Sequence, residues 1–151
     1  MRETWGVSSE NDGRPSPPTT SASIVVLTLA RRIETELNAA LAPLDLTVRR
    51  LGLLGHIAAV PGISFSDLAR MSGITVQSVH AAVKSLAGAG LVRDNTARAG
   101  SASTIEITPE GARLLGAARE AVGRVDELMF GAAADPIQRK VGETIRAAFA
   151  P

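Results

Sequence analysis

Between Thr75 and Leu86 the chain sets polar side chains among apolar ones at helical spacing: Thr75, Gln77, Ser78, His80, Lys84 and Ser85 interleave with Val79, Val83 and Leu86. The apolar members recur in three- and four-residue steps, so they form one buried stripe and leave the polar members facing elsewhere on a single helix. The chemistry of that face is recognition of bases and phosphates. The Gln77 amide can pair bidentately with adenine, the hydroxyls of Thr75 and Ser78 can bond to bases or phosphate, and His80 can donate to guanine or phosphate. Lys84 and Arg70 are candidate phosphate-binding cations, and Arg49 or Arg50 at the start of an earlier helix can add to them. Nothing comparable points to catalysis. His56 and His80 stand in no HExxH spacing, Gly88 and Gly90 close a helix where a phosphate loop would open one, and no Ser-His-acid set can be picked out. The chain has no cysteine, which removes thiol catalysis, thiolate metal sites, disulfides and thiol redox sensing. We expect no enzyme, no cofactor and no metal site.

The elements that position this face are readable from their ends. Ser64 is placed to cap a helix, with Asp67 at its N3 position and Ile63 and Leu68 at staple spacing. Ser72-Gly73 closes that helix, and Thr75 caps the next, with Ile74 and Val79 as its staple. Gly88 and Gly90 end the second helix. A strand near 91–94, a loop over 95–102 and a strand near 103–107 follow, with Ile105 and Ile107 on one side. Two short helices joined at a Gly turn and followed by a hairpin make the layout of a winged helix-turn-helix, which presents one helix to a DNA groove.

Three further amphipathic helices flank this unit. The first, 24–42, lines one side with Val26, Leu29, Ile33, Leu37 and Leu41 and stops at Pro43. Thr47 then caps a helix over 48–59 that belongs to the winged unit. Thr108-Pro109 starts a helix reaching about residue 130, with Leu114, Leu115, Ala118, Val122, Val125 and Leu128 as its apolar side. Asp135-Pro136 starts the last, with Ile137, Val141, Ile145 and Phe149 at four-residue steps. A winged helix of this size buries its own core, so the flanking stripes need another surface; a second copy related by a two-fold axis supplies one, the alternative being that they fold back as a monomeric bundle. The expected fold is α+β, mainly α: a winged helix-turn-helix with N- and C-terminal helices forming a dimerisation domain. Its parts are a flexible tail over 1–22, rich in Pro, Ser and Thr with Trp5 as its one large apolar residue, a dimerisation helix over 23–45, the DNA-binding unit over 46–108 and C-terminal dimerisation helices over 109–151.

Composition sets the outer bounds. At 151 residues the chain suits one domain, its 45% apolar content is that of a globular protein, and its 3% aromatic content makes the core aliphatic. No apolar run is long enough to cross a bilayer and no signal peptide opens the chain, so a cytoplasmic location is expected. The net charge of +1 does not by itself mark a nucleic-acid binder. A DNA partner requires the positive charge to be gathered on one face.

The order of these parts resembles the MarR family of bacterial transcription regulators. Ser66-Asp67-Leu68-Ala69, Ala89-Gly90-Leu91-Val92 and Thr108-Pro109-Glu110-Gly111 carry most of the resemblance, which covers about 24–149. It implies a homodimer on a pseudo-palindromic duplex operator, acting as a repressor, and released by a small aromatic or anionic ligand in a cleft between the dimer helices and the winged unit. That cleft would be lined by residues such as Leu37, Arg50, His56 and Leu114. At the wing the family usually carries an Asp-x-Arg or Asp-Arg-Arg element, whereas this chain reads Ala97-Arg98-Ala99-Gly100-Ser101. Arg98 alone can serve as a wing arginine, and Ala81 stands where relatives often have Arg. The depleted wing and near-neutral charge keep an alternative open: a winged-helix dimer with weak or no DNA binding that acts as a protein-interaction module.

Overall fold

The computed structural model describes residues 21–95 and 103–150, so the tail with Trp5 and the wing tip with Arg98 lie outside the described residues. Within them the chain runs α1 (Ala22–Leu41), a 3₁₀ turn (Ala42–Leu44), α2 (Val48–Ala59), α3 (Phe65–Ser72), α4 (Val76–Gly88), β1 (Val92–Asn95), β2 (Thr104–Ile107), α5 (Pro109–Phe130) and α6 (Pro136–Ala148). Helix α1 begins at Ala22, inside the stretch assigned to the tail, because Ser21 takes the extended N-cap conformation and Ala22 already continues the helix. Ala42 falls in the 3₁₀ turn with Pro43, which cannot extend an α-helix. Among the described residues no helix is long and apolar enough to cross a membrane.

The expected caps form. Thr47 Oγ1 accepts the Arg50 amide (3.2 Å), Ser64 Oγ the Asp67 amide (3.1 Å), Thr75 Oγ1 the Ser78 amide (3.1 Å) and Thr108 Oγ1 the Gly111 amide (3.0 Å). Each satisfies an N–H that the first helical turn leaves without a partner. Helix α2 gains a second cap from outside itself: the Val48 amide donates to Asn38 Oδ1 on α1 at 2.9 Å, pinning the first two helices together. Gly73 closes α3 in the left-handed region at φ 65°, which lets the chain turn sharply into α4.

Strands β1 and β2 pair antiparallel with Val92 opposite Ile107 and Asp94 opposite Ile105. The loop before α3 joins this small sheet, since the Ile105 amide donates to the Ile63 carbonyl oxygen at 3.0 Å. One core lies inside the winged unit, where Leu54, Ile57, Leu68, Val79, Val83, Leu86 and Ile105 are fully buried. A second joins α1 to α5 through Leu41, Leu46, Ala118 and Ala121. Leu51 and Leu114 pack against both, so the reading unit and the flanking helices share side chains instead of meeting through a linker.

The apolar side of α5 differs from expectation at its C-terminal end. Leu128 is 61% exposed and Met129 is fully buried in its place. Both positions suit the helical period from Val125, and the packing of α6 over this end selects Met129, whose carbonyl accepts from Gln138 Nε2 at 2.9 Å. The flanking helices leave much of their apolar surface uncovered. On α1 only Leu41 is buried, and Ile24, Val26 (64%) and Leu27 are exposed. On α6 Ile137, Ile145 (50%) and, at its C-cap, Phe149 (84%) are exposed, and a shallow groove of about 360 Å³ follows Pro136, Ile137, Lys140, Val141, Thr144 and Ile145.

Candidate nucleic-acid interface

Helix α4 is held by its buried stripe. Val79, Val83 and Leu86 are inaccessible, which fixes the rotation of the helix and turns Gln77, Ser78, Ala81, Lys84 and Ser85 to solvent. Three of the expected contact residues are partly engaged already. The Thr75 and Ser78 hydroxyls lie 2.9 Å apart, so they bond to each other while capping the helix. His80 stacks on Phe65 of α3, with ring centroids 4.1 Å apart and planes 15° from parallel. Phe65 is buried and His80 exposed, so the stack orients the imidazole and leaves its edge as the part able to bond.

Around this row the cations are dispersed. Lys84 is exposed on α4 itself. Arg70, at the end of α3, is ion-paired with Asp67 one turn earlier, and both side chains are largely exposed. Such a pair is weak and screened, so Arg70 can exchange its carboxylate for a phosphate at small cost. Arg49 is exposed in the first turn of α2. Arg50, one residue on, reaches α4, where Nη1 donates to Ser85 Oγ at 3.3 Å while its Nε is buried without a partner.

The four residues that the resemblance assigned to a ligand cleft lie on three mutually packed helices, Leu37 on α1, Arg50 and His56 on α2 and Leu114 on α5. His56 lines a cavity of about 170 Å³ between α2 and the α3–α4 turn, together with Val48, Arg49, Gly52, Leu53, Ser72 and Ile74. Ser72 Oγ is buried there without a hydrogen-bond partner. Leu114 packs between the two cores, Leu37 is half-buried on α1, and Arg50 is the residue that reaches Ser85. Neither described cavity brings Leu37, Arg50 and Leu114 together with His56.

Sequence periodicity also passes over one member of the surface. Val76 lies three residues before Val79 and by spacing belongs with the buried stripe, yet it is 42% exposed. It occupies the first position of α4, directly after the turn that joins it to α3.

At the far side of the unit, Glu110 in the first turn of α5 accepts two bonds from Arg113, from Nε at 2.9 Å and Nη2 at 2.5 Å. This hydrogen bonding, and behind it the guanidinium charge, holds the Glu110 carboxyl below the usual carboxylate range and raises Arg113.

Two short helices meeting at a left-handed glycine, an outward polar helix, and a hairpin locked to the preceding loop define a winged helix-turn-helix protein. The family model described as the MarR family matches residues 44–99. The HTH-type transcriptional repressor Rv2887 of Mycobacterium tuberculosis is 30% identical over 106 residues, covering 70% of this chain and 76% of the repressor. The chain belongs to the MarR family. The solved structure of the Mycobacterium tuberculosis MarR family protein Rv2887 in complex with DNA superposes with a TM-score of 0.71 at 23% identity, covering 87% of this chain and 99% of that one. The same protein in complex with p-aminosalicylic acid gives 0.65 at 24% identity, covering 85% and 98%.

Proposed function

We propose that the chain is a transcriptional repressor that binds a pseudo-palindromic duplex operator as a homodimer and is released by a small aromatic or anionic ligand. The observation that carries this is the outward row of α4, a polar and cationic face whose rotation is set by three inaccessible side chains and whose first turn is capped by Thr75. A helix so held can enter the major groove by its N-terminal half and read base edges without being ordered on binding. Arg49, Arg70 and Lys84 are the phosphate contacts, and Arg98 is the wing contact to the minor groove. No catalytic role is assigned, and the work on a chromosomal operator belongs in the cytoplasm.

Dimerisation is supported by the apolar side chains that α1 and α6 leave exposed, Ile24, Val26 and Leu27 on one and Ile137 and Ile145 on the other, since grouped apolar surface marks a contact site. A related repressor solved with DNA and with p-aminosalicylic acid supports both the partner and the effector class. Gel shift of the full chain on the promoters flanking its own gene tests the proposal. A retarded, sequence-selective complex of dimer size that dissolves on adding an aromatic carboxylate is expected. A chain that stays monomeric and binds all duplexes equally would overturn it.

The net charge of +1 favours one other reading, a winged-helix dimer that binds protein instead of DNA. Substituting Gln77 and Arg98 together separates the two. A regulator loses operator binding while remaining folded and dimeric, whereas a protein-binding module keeps its complex.

A further inference from the structure

The first two turns of α4 carry no arginine or lysine: residues 75–82 read Thr-Val-Gln-Ser-Val-His-Ala-Ala. The bidentate fork that reads guanine is therefore absent from the end of the helix that reaches deepest into a groove. His80 is held against Phe65, and the Thr75 and Ser78 hydroxyls are bonded to each other. Beside the imidazole edge of His80, what remains free in these turns is one carboxamide, Gln77, and two exposed apolar side chains, Val76 and Ala81. Ala81 follows Gln77 by four residues, so the two lie one above the other, about 6 Å apart along the helix, a separation of roughly two base-pair steps. Val76 adjoins Gln77 at the tip.

An apolar side chain in a major groove has one complementary group on the base edges, the 5-methyl of thymine. Resting on the DNA-binding function above, we propose that Val76 and Ala81 contact thymine methyl groups beside an adenine paired by Gln77, so that each half-site is read as a short run of A·T pairs. Two features of α4 thereby acquire one explanation. Val76 is exposed although its spacing assigns it to the core, and Ala81 occupies an outward position where an arginine would read guanine.

Uracil in place of thymine tests this directly, because it removes the methyl group and leaves every hydrogen-bonding group of the base pair intact. The full chain is first used to select duplexes from a random pool, and the thymines of the selected half-site are then replaced one at a time by uracil. One or two replacements in each half-site are expected to weaken binding by about fourfold, the partitioning of one methyl group out of water. Val76→Ala is expected to abolish the thymine–uracil difference at one of those positions, and Ala81→Gly at the other. This ratio of affinities is insensitive to any general loss of folded protein. Selected half-sites dominated by G·C pairs, or equal binding of every uracil-substituted duplex, would overturn the proposal and leave the DNA-binding function standing. A chain that selects no duplex at all would overturn both.

Discussion

Thr108 is bonded at once to the end of the reading helix and the start of α5. Its hydroxyl donates to the Gly90 carbonyl oxygen at 2.6 Å, just past the end of α4, and accepts the Gly111 amide in the first turn of α5. This joint is one of the links between the flanking helices and the winged unit, beside the Asn38–Val48 bond and the shared Leu51 and Leu114. Thr108→Val keeps the shape of the side chain and removes both bonds. We expect a loss of about 1–2 kcal/mol in urea unfolding, the usual value of a helix cap.

The same joint explains why Gly111 stands where it does. A β-carbon there would overlap the Leu91 carbonyl oxygen and lie 2.8 Å from Ile107 Cγ1. Helix α5 therefore crosses the sheet at backbone contact, and Gly111→Ala must push the two apart. The expected cost is about 1–3 kcal/mol, as for other overpacked cores, read as a lowered melting temperature. A melting temperature equal to that of the parent would show that the crossing is looser than described.

On the reading face, Gln77→Ala is expected to weaken operator binding by about 1–3 kcal/mol with the melting temperature unchanged, because the side chain is exposed and touches nothing in the core. Lys84→Ala is expected to act differently. It should weaken binding to all duplexes alike and flatten the dependence of log affinity on log salt by about one unit, as one released counterion requires. With few cations near α4, the parent slope itself should be well below about 10 in magnitude.

The apolar faces of α1 and α6 should hold two copies together. Ile145→Asp places a carboxylate in the α6 groove, where a partner would have to bury it unpaired. Sedimentation is expected to show a shift from dimer toward monomer, with operator binding lost in parallel. A protein that stays dimeric would assign the contact to other surfaces.

Glu110 gives a pH signature with a definite sign. Its folded carboxyl is held below the usual range by Arg113, so its contribution to stability is present above that range and disappears as pH falls through the lowered value. The residue also lies in the first turn of α5, where a negative charge is favoured. Glu110→Gln is expected to lower the melting temperature slightly near neutral pH and to make no difference once both forms are uncharged. Thermal melts across the acid range read both limbs.

Much of the molecule is determined by the sequence alone, because the physics involved acts over three or four residues. Ser64, Thr75 and Thr108 cap the helices expected of them, Gly73 turns where a left-handed residue is needed, and Val79, Val83 and Leu86 bury the face their spacing defines. The three segments that carry the family resemblance are of this local kind, and Gly111 adds to one of them a contact with another element. Other features were decided only when distant segments met. Met129 rather than Leu128 faces inward because α6 packs there, and Val76 stays in solvent although it shares the helical spacing of Val79 and Val83. Arg50 belongs to α4 through Ser85, a residue 35 positions away, although it begins α2. Periodicity specifies which side of a helix is apolar; where along that side the cover ends depends on the angle at which a second element crosses, and that angle is a property of the assembled chain.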